Sequence, residues 1–231
     1  MTAWILLIII GYLFGSVPAS YLAARSRGID LRKHGTHQIG GGNLWRTTSR
    51  TLGLTIGIFD MLKGVLMVWL AQLQGLDAGQ QIIVGLAVIV GHNWPVFLRF
   101  HGGRGISTLL GIAIILPLVN MDTVSYWPSV IAVSIVVIFT VTLHSSPLPV
   151  LVASASLPLT QWLFGSSVAV VMAFLAIWLV VIIKRLTAQP PGEKINVTTG
   201  RLLLNRFLFD RDISDRKAWV GRKHKSAEAG K

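Results

Sequence analysis

A chain of 231 residues is long enough for one soluble domain or for about five to seven membrane spans. Apolar residues make up 52% and charged residues only 13%, with a mean hydropathy of +0.65. An ordinary soluble domain is about a quarter charged, so a soluble globular enzyme is excluded. The absence of cysteine removes disulfides, thiolate metal sites and a cysteine nucleophile, and the six histidines show no metal-binding spacing. Neither a metal nor any other cofactor is expected.

The first apolar run, 4–23, has no Lys or Arg before it, which reads as a retained span rather than a cleaved signal. Further runs at 52–73, 81–99, 105–121, 127–144, 148–164 and 168–184 approach the roughly 20 residues that cross about 30 Å of hydrocarbon. The expectation is an all-α polytopic membrane protein with seven transmembrane helices. Seven spans put the 24–51 loop, the 99–105 turn, the 144–148 turn and the tail on one side, with six, two, no and twelve Lys or Arg residues. The connections near 74–80, 122–126 and 165–167 carry none. That asymmetry predicts the N-terminus outside and the C-terminus cytoplasmic in a bacterial cell membrane. It also assigns the net charge of +12 to topology and contact with anionic lipid, so membrane lipid is an expected partner and nucleic acid is not.

The remaining basic residue, Lys63, lies inside the second run three residues after Asp60, a spacing that puts the two on one helix face. A buried pair of this kind either holds helices in register or takes part in function. The chain divides into a membrane unit, 1–188, and a basic tail, 189–231. Within the tail Pro190-Pro191-Gly192 ends the last helix, and residues 201–213 read as an interfacial helix. Its apolar face is Leu203, Leu204, Phe207 and Leu208, with Arg206 and Asp210 at the polar edge. The last ten or so residues read as a solvated basic end.

Two cytoplasmic segments carry more glycine and polar groups than a connector needs. In the first, Gly40, Gly41 and Gly42 are expected to take φ > 0 and turn their N–H groups into an anion-binding nest. Thr36, Gln38 and Asn43 add uncharged polar groups, and Arg46 a bidentate fork suited to phosphate. In the second, which starts at Gly91-His92, Gly102, Gly103 and Gly105 bracket Arg104 just before a helix whose first turn holds Ser107. A helix start with unpaired N–H groups is again a phosphate site. Two anion cradles facing one compartment suit a reaction between two phosphorylated substrates.

These segments resemble those of the bacterial integral-membrane glycerol-3-phosphate acyltransferases that use acyl phosphate as donor. The matching motifs are Gly15-Ser16-Val17-Pro18, the stretch from Asp30 with its glycine-rich loop, Asp60 to Gly64, and Gly91-His92-Asn93-Trp94-Pro95-Val96-Phe97 through Gly102-Gly103-Arg104-Gly105. The resemblance covers residues 11–111 well and the later spans by layout. It implies acyl phosphate and glycerol 3-phosphate as partners and lysophosphatidic acid as product. Thr36, Gly40 to Gly42 and Asn43 would hold the donor phosphate, and Arg46 and Arg104 would neutralise two phosphates. Thr142, in Val141-Thr142-Leu143, matches the family's serine and would orient the acceptor. Gln38, His92, Gly102, Gly103, Gly105 and Ser107 complete the binding set.

The sequence departs from the family pattern in several places. Thr36-His37-Gln38 replaces Ser-Gly-Asn, Gly41-Gly42 replaces Ala-Thr, and Arg104 replaces lysine. At the end of the last span Leu179 and Ile182 align with a histidine and an asparagine, while Arg185-Leu186 is kept and Glu193 is displaced. His144 is the residue placed to substitute. On the residues alone, a non-catalytic lipid-binding relative and a small transporter of a phosphorylated metabolite also remain open.

Overall fold

The computed structural model describes residues 1–187 and 197–221, and every regular element among them is helical. The Pro-Pro-Gly stop, Glu193 and the last basic residues lie outside this set. In chain order the helices are α1 (Thr2–Gly15), α2 (Ala19–Arg25), α3 (Gly41–Thr47), α4 (Arg50–Leu73) and α5 (Ala78–Asn93). A 3-10 turn (Val96–Leu98) leads to α6 (Ile106–Val119), α7 (Trp127–Leu143), α8 (Pro147–Leu163) and α9 (Val168–Thr187). The tail adds α10 (Thr199–Phe209) and α11 (Arg216–Gly221). Four segments are long and apolar enough to cross a membrane: Thr2–Arg25, Arg50–Leu73, Ala78–Leu98 and Val168–Thr187. Helices α6 and α7 are apolar but shorter.

The first expected span is not one helix. Pro18 has no N–H, so the chain breaks after Gly15 and restarts at Ala19, and Ser16 Oγ donates back to Tyr12 O at 2.8 Å. The break frees the carbonyl of Val17, which accepts from Lys63 Nζ at 2.7 Å. Lys63 in turn lies 3.0 Å from Asp60 Oδ1, with both side chains buried. The Asp60–Lys63 pair therefore fastens α4 to the break between α1 and α2. Lys63→Met leaves a buried carboxylate without its partner, a loss of about 3–5 kcal/mol. We expect a clear drop in melting temperature in detergent, partly restored by adding Asp60→Asn. An unchanged melting temperature would contradict this role.

Helix α5 sits at the centre, packed on α1, α4, α6 and α9, while α7 and α8 pair on one flank. Small residues let the backbones approach closely. A Cβ at Gly91 would collide with Tyr12 O, one at Gly111 with Met61 O, and one at Gly64 would lie 2.5 Å from Thr108 O. Across this α4–α6 contact Thr108 Oγ1 donates to Asp60 O at 3.0 Å. The main core runs through Val68, Ile82, Ile89, Ile112, Leu116, Phe174 and Ile177, all essentially without solvent access. At the far end Gln81 and Asn120 exchange amide hydrogen bonds, at 3.2 and 2.7 Å, joining the start of α5 to the end of α6.

The tail helix forms where the sequence predicts one, but a polar face holds it. Leu203 and Leu204 are 46% and 55% exposed, whereas Asn205 and Asp212 are buried. Arg185, at the end of α9, donates to Phe207 O at 2.9 Å and to Pro147 O at 2.6 Å. Arg206 reaches Leu186 O at 2.8 Å and pairs with Asp212, whose carbonyl accepts from Asn205 Nδ2 at 2.9 Å. Two of these links, Arg185 to Phe207 O and Arg206 to Leu186 O, tie α10 to α9, Arg185 also ties α9 to α8, and the two contacts of Asp212 fold the residues after α10 back onto it.

Candidate active site

The first loop is built around Asn43. Its Nδ2 donates to the carbonyls of Leu31, His34 and Gln38 at 3.2, 3.0 and 3.0 Å, and its Oδ1 accepts from Thr36 N at 2.9 Å. The buried amide is fully engaged in folding residues 31–38, so it positions the loop rather than offering a donor to a ligand. Gly35 takes φ +63 beside it, where a Cβ would crowd Asn43 Oδ1. Asp30 caps the loop's outer edge, bonding the Arg32 guanidinium at 2.8 Å. That contact holds the Asp30 carboxyl down at about 2, so the pair is charged at any physiological pH.

The glycine triplet does not form a nest. Gly40 is extended, at φ 171, and Gly41 and Gly42 open α3, with no side chain among the described residues capping the helix start. The reason is packing against α4: a Cβ on Gly41 would come 2.7 Å from Gly53 O. The loop therefore offers a bare helix start in place of a nest.

The second segment folds back on its own beginning. Gly103 N donates to His92 O at 3.0 Å. Side chains at Gly102 and Gly103 would collide with His92, and one at Gly103 would also lie 2.5 Å from Ile39 O, so Gly102 closes the second loop on itself and Gly103 docks it on the first. Gly105 takes the left-handed conformation, at φ 69, and starts α6. His92 Nδ1 lies 3.7 Å from Asp60 Oδ1, so the buried carboxylate of α4 faces this loop as well as Lys63.

Between the loops is a cavity of about 600 Å³. It brings together Gln38, Gly40, Gly41, Gly42, Asn43, Arg46, His92, Arg104, Gly105 and Ser107. Gly102 and Gly103 do not line it; they buttress it from behind. Val136, Val137, Val141, Val150 and Val181 give it an apolar wall. A second cavity of about 480 Å³ shares Gln38, Arg46, Thr140, Ser146 and Asp210 with the first. It adds Thr36, His144, Ser145, Arg211 and Trp219. The Thr36 hydroxyl is buried without a hydrogen-bond partner among the described residues. A third, apolar groove of about 330 Å³ runs from Gly41, Gly42 and Ser107 past Trp45, Leu54 and Ile58.

The structure does not bring Thr142 to these cavities. Its hydroxyl is exposed and donates to Ile138 O at 3.0 Å on its own helix. Thr140, two residues earlier, lines both cavities with a buried hydroxyl that has no partner among the described residues. Leu179 and Ile182 line none of the cavities; the α9 wall is Val181 and Arg185. Asp60, Arg185 and Asp210 also line the first cavity; Asp60 and Arg185 belong to matching motifs but are not among the candidate site residues, and Asp210 lies in no motif. Asp210 Oδ2 accepts from Arg104 Nε at 2.9 Å and from Gln38 Nε2 at 3.4 Å.

A helical bundle with long apolar spans and a cation-lined cavity at one end is a multi-pass membrane protein with a site suited to anions. The chain belongs to the glycerol-3-phosphate acyltransferase family, whose family model matches residues 5–188. Glycerol-3-phosphate acyltransferase 5 of Dehalococcoides mccartyi is 38% identical over 97% of this chain and 96% of its own length. The glycerol-3-phosphate acyltransferase of Desulforudis audaxviator is 38% identical over 75% of this chain and 89% of its own. Among solved structures, the glycerol 3-phosphate form of PlsY (YgiH), an integral membrane glycerol 3-phosphate acyltransferase, superposes with a TM-score of 0.71 at 26% identity. That match covers 79% of this chain and 88% of PlsY.

Proposed function

We propose that this protein transfers a fatty acyl group from acyl phosphate to position 1 of glycerol 3-phosphate, giving lysophosphatidic acid for phospholipid synthesis. The observation that carries this reading is the pair of joined cavities between the two loops, in a chain of this family. One cavity has an apolar wall, the other is polar, and arginines line both. In this reading seven spans cross a bacterial cell membrane with the N-terminus outside and the loops cytoplasmic. The Lys and Arg asymmetry supports that orientation.

The donor phosphate lies against the start of α3 beside Arg46 and Arg104, and its acyl chain leaves along the apolar groove past Trp45 and Leu54. The position-1 hydroxyl oxygen attacks the acyl carbonyl carbon, forming the new ester bond. The bond from that carbon to the phosphate oxygen breaks, and the departing phosphate takes the hydroxyl proton. An acyl phosphate is already activated, so holding the two substrates in register and neutralising the leaving group supply the catalysis. Thr140 faces the junction of the cavities and replaces Thr142 as the hydroxyl that orients the acceptor. Thr140→Val is expected to lower turnover about 10-fold, as for one lost hydrogen bond, and Thr142→Val to leave it unchanged. The reverse pattern would return the role to Thr142.

The reaction is tested with purified protein, palmitoyl phosphate and glycerol 3-phosphate, with palmitoyl-CoA as control donor. Lysophosphatidic acid formed from palmitoyl phosphate alone is the expected result. Turnover with palmitoyl-CoA in its place would overturn the donor assignment.

A further inference from the structure

The family match ends at residue 188, yet a wall of the candidate site comes from beyond it. Asp210 follows α10 directly and lines both cavities, at the place where they meet. Its carboxylate bonds Arg104 and Gln38, and Arg211 and Trp219 of the same tail segment line the polar cavity. We infer that Asp210 is a specificity residue for the acceptor, selecting a phosphorylated polyol with a hydroxyl group next to the one that reacts.

The chemistry follows from the lining. With Arg46 beside the donor phosphate, a small phosphorylated acceptor in the polar cavity sets its phosphate against Arg211, which leaves its carbon chain pointing towards the junction. A carboxylate is an acceptor with two oxygens and several lone pairs, so it takes hydroxyl donors beside the guanidinium that orients it. It repels a phosphate. The arrangement therefore fixes which end of the acceptor faces the acyl carbon.

A carboxylate on a phosphate-binding arginine also invites the opposite reading, a plug that must swing away. The anchoring argues against it. Asp210 N donates to Arg206 O at 3.0 Å, and its side chain is 13% exposed. The helix before it is tied to α9 through Arg185 and Arg206, and Trp219 beyond it is buried. A plug needs a loose tether, whereas this segment is pinned on both sides of the residue.

The inference rests on the proposed acceptor, so the experiment separates the two. Calorimetry on the full-length protein measures binding of glycerol 3-phosphate and of 3-hydroxypropyl phosphate, which lacks the neighbouring hydroxyl. The same pair is then compared as acceptors by kcat/KM. The unsubstituted protein is expected to prefer glycerol 3-phosphate about 10-fold or more in both readouts, as for hydrogen bonds to a charged group. Asp210→Asn should reduce that preference to about 3-fold or less. Arg206→Ala, which loosens the anchor without touching the carboxylate, should erode it in the same direction. Retained preference in Asp210→Asn would overturn the inference. So would tighter binding and faster turnover with both acceptors in either variant, which is the signature of a plug. Discrimination in calorimetry without any acyl transfer would leave the Asp210 assignment standing and remove the proposed reaction.

Discussion

Arg46→Ala is expected to lower kcat/KM for acyl phosphate about 100- to 1,000-fold while the protein stays folded, the loss typical of removing one donor to developing charge. Arg46 is exposed at the end of short helix α3, lines both cavities, and has its Nη1 held by Gly42 O at 3.1 Å. That anchor aims the guanidinium without burying it, so little stability depends on the side chain. Arg46→Lys should recover only part of the rate, because a point charge cannot reproduce a planar fork. Full activity in Arg46→Ala, measured by phosphate release, would remove this residue from the reaction.

The second large effect is expected at Asn43, by a different route. Asn43→Leu leaves the N–H of Thr36 and the carbonyls of Leu31, His34 and Gln38 without their shared partner. Each group that stays buried and unpaired costs about 1–3 kcal/mol, so residues 31–38 must refold locally. Because Thr36 and Gln38 line the cavities, a displacement of even about 1 Å should cost turnover on the order of 100-fold. The melting temperature should fall as well, which separates this variant from Arg46→Ala. A variant with lost activity and unchanged stability would instead mean that Asn43 touches the substrate.

A linear pattern carries composition and spacing but not the direction in which a side chain points. Uncharged runs bounded by basic loops were enough to place the apolar helices, and the two glycine-rich segments do meet over one cavity. Residue phase was harder. Helix α7 is apolar on nearly every side, and residues two apart on a helix point about 200° away from each other. Nothing in its composition therefore says whether Thr140 or Thr142 faces inward. Asn43 was legible as a polar group in the right place, but not as one already engaged by four partners. Gly41 is legible as a glycine, yet the need it meets is contact with Gly53 rather than positive φ. Asp210 was beyond reach, because its contact with Arg104 spans 106 residues and depends on a tail helix folding back through polar links.

In the proposed reaction an acyl group passes directly between two phosphorylated substrates held in joined cavities, with no covalent enzyme intermediate. The most direct measurement follows phosphate and lysophosphatidic acid in one reaction, with and without glycerol 3-phosphate, at enzyme concentrations high enough to see a single turnover. Direct transfer predicts phosphate release only when the acceptor is present, equal mole for mole to lysophosphatidic acid. A burst of phosphate stoichiometric with enzyme in the absence of acceptor would show that the protein takes the acyl group itself, and would rule out direct transfer.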